Sequence, residues 1–238
     1  ELETERTQLD LRVAERTRAL ETSATVSRQL STILDQSRLV REVVEQLRVA
    51  FSYYHVHIYL WDEEAGALRM VGGTGEAGQA MLVMGHSLLP DQGLVGRAFS
   101  TSMPVVVPDV SQHADWLPNR LLPETRAELA VPIIYGDEVL GVLDAQDNQV
   151  GGLGEEDSQL LQTIAGQMAV ALRNARLLAQ IRREAEQSAT INAINRKIAQ
   201  TTDIDAAMRV ALSELSRALG TRDAAVRLDG GGENGRDH

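Results

Sequence analysis

Glu128-Leu129-Ala130-Val131-Pro132-Ile133-Ile134-Tyr135-Gly136-Asp137-Glu138-Val139-Leu140-Gly141-Val142-Leu143-Asp144-Ala145 is the stretch that decides the fold. Leu129 to Tyr135 and Val139 to Ala145 are apolar runs of strand length, and Gly136-Asp137-Glu138 between them fits a hairpin with glycine at the tight turn. Neither run alternates cleanly with polar residues, as expected for a sheet covered on both faces. Upstream, Tyr54, Val56, Ile58 and Leu60 alternate with His55, His57, Tyr59 and Trp61, which predicts another strand covered on both sides. Asp62 to Gly66 reads as a turn, Ala67 to Val71 as a strand, Gly93 to Phe99 as a short helix and Pro104 to Val107 as a strand. Asp109 to Thr125 is a long, polar, proline-containing loop of the kind that often carries function.

Helices flank this strand block. Leu39, Val40, Val43, Val44 and Leu47 recur at helical spacing after the helix-start residues Asp35-Gln36-Ser37. Glu155-Glu156-Asp157 sits where a helix N-terminus favours negative charge, and Leu160, Leu161, Ile164, Met168, Leu172, Ala175 and Leu178 follow. Residues 1–34 contain no Pro or Gly. Leu2, Leu9 and Leu30 with Val13, Leu20 and Leu34 make a heptad seam, interrupted by Arg16, Ser23 and Ser27. So narrow a stripe predicts a parallel coiled-coil dimer through Leu9, Val13, Leu20, Leu30 and Leu34, matched at the other end by Ile164, Met168, Ala171 and Ala175.

The chain also repeats itself. Ser23-Ala24-Thr25 returns as Ser188-Ala189-Thr190, and Val26, Ile33, Leu39, Val43 and Leu47 fall on Ile191, Ile198, Ile204, Met208 and Leu212. Such periodicity marks a tandem array. The organisation it predicts is a signalling coiled-coil helix over 1–35, a domain over 36–178, a linker helix over 179–200, the start of a truncated second repeat over 201–228 and a flexible tail over 229–238. The linker, about Ala175 to Gln200, lacks Gly and Pro and is read as one continuous helix.

Composition narrows the function. The formal net charge of −11 opposes nucleic acid and anionic lipid. No apolar run reaches membrane-spanning length, and Glu1-Leu2-Glu3-Thr4 is not a signal peptide, so the expectation is a cytoplasmic fragment without direct membrane contact, with any membrane tether in segments outside this chain. With no cysteine, disulfides, thiolate nucleophiles and Cys-based zinc sites are excluded.

Gly73-Thr74-Gly75-Glu76-Ala77-Gly78 matches a dinucleotide fingerprint, but no βαβ unit follows, and the segment is read as a flexible hairpin loop. His55 and His57 share a strand face without an evident third metal ligand and are read as covering a sheet beside Tyr59 and Trp61. No serine-nucleophile motif or P-loop occurs. The expectation is therefore a protein that is not an enzyme, with no catalytic residue, no metal site and no evident cofactor. A small molecule is expected under the long loop, held by Asp109, His113, Trp116 and Arg120 with Arg97 and Phe99 of the short helix. Two arginines in that set point to an uncharged or anionic ligand.

Asp91-Gln92-Gly93-Leu94-Val95-Gly96-Arg97-Ala98, Met103 to Val110, Glu128 to Ile134, Val139 to Asp144 and Asp157 through Leu177 closely resemble, in order, the blocks of a GAF domain. Residues 201–228 look like the opening of another copy. Leu11 to Leu20 is similar to the helical connectors that leave HAMP-type linkers in bacterial sensor kinases. The resemblance implies an α+β fold: a mostly antiparallel sheet of about six strands, with long N- and C-terminal helices packed on one face and extending as dimeric coiled coils, and a cavity under loops on the other face. It also implies that Pro104 and Pro132 open strands. Bilin-binding relatives mostly use a cysteine that this chain lacks. The Asn-Lys, Phe, Asp-Glu signature of cyclic-nucleotide-binding relatives is replaced by Asp147-Asn148-Gln149, Leu153 and Glu156-Asp157. For haem the axial candidate is His113.

The function implied is a sensory module of a two-component signalling protein, a sensor histidine kinase, which homodimerises and passes a conformational bias to a kinase or other output domain in the same polypeptide. The alternative is a ligand-free dimerisation spacer, its cavity filled by Met81, Met84 and Leu88. An enzyme acting on a small molecule ranks below both.

Overall fold

The computed structural model describes residues 35–199. The seam residues Leu9, Val13, Leu20, Leu30 and Leu34, the HAMP-like stretch, the second repeat over 201–228 and the tail lie outside the described residues. The chain divides into two units, Glu1–Leu178 and Ala179–His238.

In the first unit, helix α1 spans Gln36–Phe51 and opens on Asp35, whose carboxylate accepts from the Arg38 backbone N–H at 2.7 Å. It ends at Ser52, in the left-handed region at φ 56°. Strands β1 (His55–Asp62) and β2 (Ala67–Gly73) form a hairpin. Helix α2 (Gly75–Val83), strand β3 (Ser87–Leu88), helix α3 (Gly93–Thr101) and strand β4 (Val105–Val107) follow. A 3-10 turn at Val110–Gln112 precedes the central hairpin of β5 (Ala127–Tyr135) and β6 (Glu138–Asp147). Helix α4 runs over Glu155–Ala199, beginning at the acidic triplet.

The six strands form one antiparallel sheet in the order β3-β2-β1-β6-β5-β4. The pleat sorts side chains between its two faces. Val56, Ile58 and Leu60 of β1, with Leu129, Val131 and Ile133 of β5, meet α1 and α4 in one core. Tyr59, Val142 and Ala130 face the other way, into a second core with Met81, Leu94 and Val110. Gly141 of β6 lies where an added Cβ would run into the Tyr59 carbonyl oxygen, so the β1–β6 contact requires glycine there.

Three expectations are corrected. Ile164, Met168, Ala171 and Ala175 do not offer a dimer stripe: all four are buried, the first three in the domain's own core against α1 and the sheet. Their spacing is that of a docked helix, which sequence alone does not separate from a coiled-coil seam. The Gly73 to Gly78 segment is not a loop; it ends β2 and begins α2, with Gly78 packed against the Gly73 backbone too closely for a Cβ. Pro132 does not open β5 but lies within it, opposite Val142. Strand β4 pairs only with Glu128 to Ala130, so Pro132 lies beyond the reach of that edge strand. Pro104 does immediately precede β4.

The described part of the second unit is the helical continuation through Ala199. Among the described residues, no helix is long and apolar enough to cross a membrane.

Candidate functional site

The face of the sheet turned away from α1 and α4 carries the polar residues. Strand register puts His57 opposite Asp144, Asp144 opposite Ala130, and Gln146 between His55 and Glu128. A hydrogen-bonded network results. His57 Nδ1 lies 3.1 Å from Asp144 Oδ2, Gln146 Nε2 donates to the same oxygen at 3.1 Å, and Thr125 Oγ1 donates to Gln146 Oε1 at 2.7 Å. Trp116 Nε1 donates to Glu128 Oε2 at 3.0 Å. Thr74 Oγ1 lies 3.1 Å from His55 Nδ1 and accepts from the Val56 backbone N–H. Three buried atoms of this set, His55 Nε2, His57 Nε2 and Asp144 Oδ1, have no hydrogen-bond partner among the described residues apart from the Glu128 acid that bonds the Asp144 carboxylate.

Above this floor, α2, β3, α3 and the long loop enclose a cavity of about 470 Å³. His57, Tyr59, Glu128, Asp144 and Gln146 line its sheet side; Met81, Leu88, Leu94 and Leu117 are among its apolar walls. Asn119 and Arg120 belong to the loop side. Met84, one of three residues expected to fill the space, also lines it but is largely exposed, whereas Met81 and Leu88 are buried in the wall.

Burial governs the electrostatics. It pushes Glu128 well above the usual carboxylate range, and the neighbouring Asp144 charge pushes it further. Glu128 is thus held as the neutral acid. Since Trp116 donates to one of its oxygens, the proton belongs on the other. Burial also lowers His55 to about 3, with the charges on His57 and Arg48 adding to the effect, and lowers His86 through burial and then His57. Tyr59 is raised by burial and then by the neighbouring Asp144 carboxylate. Among the described residues, no group of three or more His, Cys, Asp or Glu could hold a metal ion.

Of the six residues singled out in the sequence, Arg120 lines the cavity directly. Trp116 reaches the site through Glu128. Arg97 pairs with Asp115 at 3.3 Å on the surface, and Phe99 stacks on Trp61 with centroids 4.9 Å apart. Asp109 caps the 3-10 turn, accepting from the Ser111 N–H at 3.0 Å, and His113 ends that turn. The expectation of an uncharged or anionic ligand, drawn from arginines, meets a floor built of acids instead. His57, Glu128, Asp144 and Gln146 were not assigned a binding role from the sequence. Their signal was an ionisable or amide side chain inside runs otherwise apolar on both faces, where a buried polar group needs a reason.

A six-stranded antiparallel sheet with terminal helices on one face and a polar-floored cavity on the other is a small-domain architecture built around an enclosed site. The model of the GAF domain family matches residues 34–173, and the chain belongs to that family. It is 30% identical over 168 residues to the Nif-specific regulatory protein of Azospirillum brasilense, an alignment covering 66% of this chain and 26% of that protein. The chain thus spans about a quarter of that relative's length. The fold is also that of the GAF domain of a phosphoenolpyruvate-protein phosphotransferase from Coxiella burnetii, with a TM-score of 0.63 and 20% identity over 69% of this chain and 98% of that one. It is shared equally with a free methionine-R-sulfoxide reductase from Neisseria meningitidis solved in complex with its substrate, with a TM-score of 0.60 and 21% identity over 67% of this chain and 91% of that one.

That last likeness corrects the expectation that the chain is not an enzyme: the same architecture belongs to catalysts as well as to regulatory domains. The absence of cysteine removes thiol-based reduction from this chain and no other chemistry.

Proposed function

We infer that this chain is the sensory module of a longer signal-transduction polypeptide, in which a small molecule entering the cavity biases the packing of the helices on the opposite face. The observation that carries this reading is the cavity itself: apolar-walled, and floored by buried polar groups that the fold leaves short of partners. A spacer would have no use for such a floor, because each unsatisfied buried group costs about 1 to 3 kcal/mol. His57 and Tyr59 of the cavity alternate along β1 with Val56, Ile58 and Leu60 of the helix-side core, so displacement of one strand registers on both faces. The similarity to a Nif-specific regulatory protein supports a regulatory output in the same polypeptide. A histidine kinase, suggested by the resemblance of the N-terminal helix, is one form that output takes in the proposal.

Homodimerisation belongs to the same proposal, through the N-terminal seam and, on α4, through other residues than those expected. In the first unit Val170 and Leu177, seven residues apart on α4, are 50% and 53% exposed. In the second unit Ile181 and Ile191 are likewise exposed. Heptad-spaced apolar side chains left in water favour pairing with a second helix. Native mass spectrometry of the chain purified from its source cells tests the sensory reading: a retained small molecule supports it, and a bare polypeptide mass from cells grown under varied nutrient conditions refutes it.

A further inference from the structure

The floor of the cavity selects for a particular chemistry, and the inference here rests on the sensory reading above. Asp144 is 1% exposed and one of its carboxylate oxygens, Oδ2, is occupied by His57 Nδ1 and Gln146 Nε2. The other oxygen, Oδ1, accepts no N–H bond among the described residues, and the neutral Glu128 hydrogen-bonds the same carboxylate. His57, also 1% exposed, directs Nδ1 at Asp144; when Nδ1 carries the hydrogen of the neutral ring, Nε2 presents a lone pair, and that atom has no partner among the described residues. Both residues line the cavity. In that neutral form of His57 both groups are hydrogen-bond acceptors, side by side across the β1–β6 ladder, and one of them belongs to a buried carboxylate.

The geometry points to a small organic cation as the ligand: a molecule whose ammonium, amidinium or guanidinium head donates N–H bonds to Asp144 Oδ1 and His57 Nε2, with its apolar body against Met81, Leu88 and Leu94. A charged N–H donor to a carboxylate forms a shorter and stronger bond than a neutral donor, and a low-dielectric site amplifies the difference. An anionic head would place two negative charges together in the dry floor. Glu128 does not supply a second fixed charge there, since burial keeps it in its neutral acid form. Arg120 lies on the loop side and is exposed, where solvent screening weakens its field compared with that of Asp144.

Isothermal titration of the whole chain with three ligands of one shape, benzamidinium, benzamide and benzoate, tests the assignment. Benzamidinium is expected to bind at least about tenfold more tightly than either of the others, the factor a single charge-assisted bond supplies. Asp144→Asn, isosteric and uncharged, is expected to erase that preference while the protein still melts cooperatively. The wild-type ranking alone remains decisive if the variant does not fold. Benzoate or benzamide binding as tightly as benzamidinium overturns the cationic class and leaves the cavity reading standing, as does the absence of benzamidinium binding alongside a retained mass in the native spectrum. A bare native mass with no binding of any probe overturns both.

Discussion

Asp144 Oδ2 lies 3.1 Å from His57 Nδ1, and the two side chains face one another across the β1–β6 ladder with almost no exposure to solvent. This contact stands at the centre of the sheet, between a core that belongs to the terminal helices and a cavity that belongs to the loops. It joins two strands distant in sequence and fixes the side-chain orientations that leave Asp144 Oδ1 without an N–H donor and His57 Nε2 without a partner among the described residues.

Trp116→Phe tests how far the loop is tied to the floor. The substitution keeps most of the ring's packing and removes the Trp116 hydrogen bond to Glu128 Oε2. Chemical denaturation is expected to show a loss of about 1 to 3 kcal/mol, the cost of leaving a buried polar group unpaired. An unchanged midpoint would mean that the bond to Glu128 contributes nothing net.

His55 predicts a pH dependence with a definite sign. Its pKa in the folded state is about 3 against the usual 6.5, so unfolding takes up a proton at any pH between the two. Its contribution to stability is complete above 6.5 and falls as pH drops toward 3. At pH 5 the wild type should have lost about 2 kcal/mol relative to His55→Gln, compared with their difference at pH 7.5. Because the other titrating groups are common to both proteins, parallel stability curves between pH 7.5 and 5 would remove this role from His55.

Two leucine-class substitutions on α4 separate folding from association. Ile164→Ala opens a hole in the core and is expected to cost about 2 to 5 kcal/mol of stability. Leu177→Ser lies on the exposed face and is expected to leave the folding of the first unit within about 0.5 kcal/mol of wild type while weakening self-association. Sedimentation equilibrium distinguishes them, and a Leu177→Ser protein that associates as the wild type does would move the dimer surface elsewhere.

Gly141→Ala is expected to be among the most disruptive single-methyl changes in the sheet. The new Cβ would meet the Tyr59 carbonyl oxygen and the Leu60 backbone, neither of which can move without opening the β1–β6 ladder. A destabilisation of about 1 to 3 kcal/mol or more is expected from such overpacking. A thermal melt overlaying that of the wild type would show that the ladder yields.

Much of the fold was legible because its signals are local. The period-two alternation from Tyr54 to Trp61 became β1, the Gly136-Asp137-Glu138 turn became the β5–β6 hairpin, and Asp35 became the cap of α1. Glycine misled at Gly73 to Gly78, where its role is to let a helix pack close to a strand end and not to loosen a loop. The site was less legible. Attention to the long loop found Arg120 at the cavity and Trp116 at its edge, but the loop's other polar residues make local turns and surface pairs.

The sequence by itself determined most of the elements, their order and the family, since alternation, caps and turns act over a few residues and survive without knowledge of partners. Which side of α4 faces inward, and what the cavity floor is made of, only the tertiary structure decided. Ile164 and Leu177 look alike as members of an apolar helix, and docking against α1 and the sheet alone puts one in the core and leaves the other in water. His57, Glu128 and Asp144 stand on three different strands, and become one site because the register of β1 on β6 and of β6 on β5 brings their side chains to the same face, His57 opposite Asp144 and Glu128 two residues along. Register depends on the summed packing of two cores, a quantity no short stretch of the chain contains.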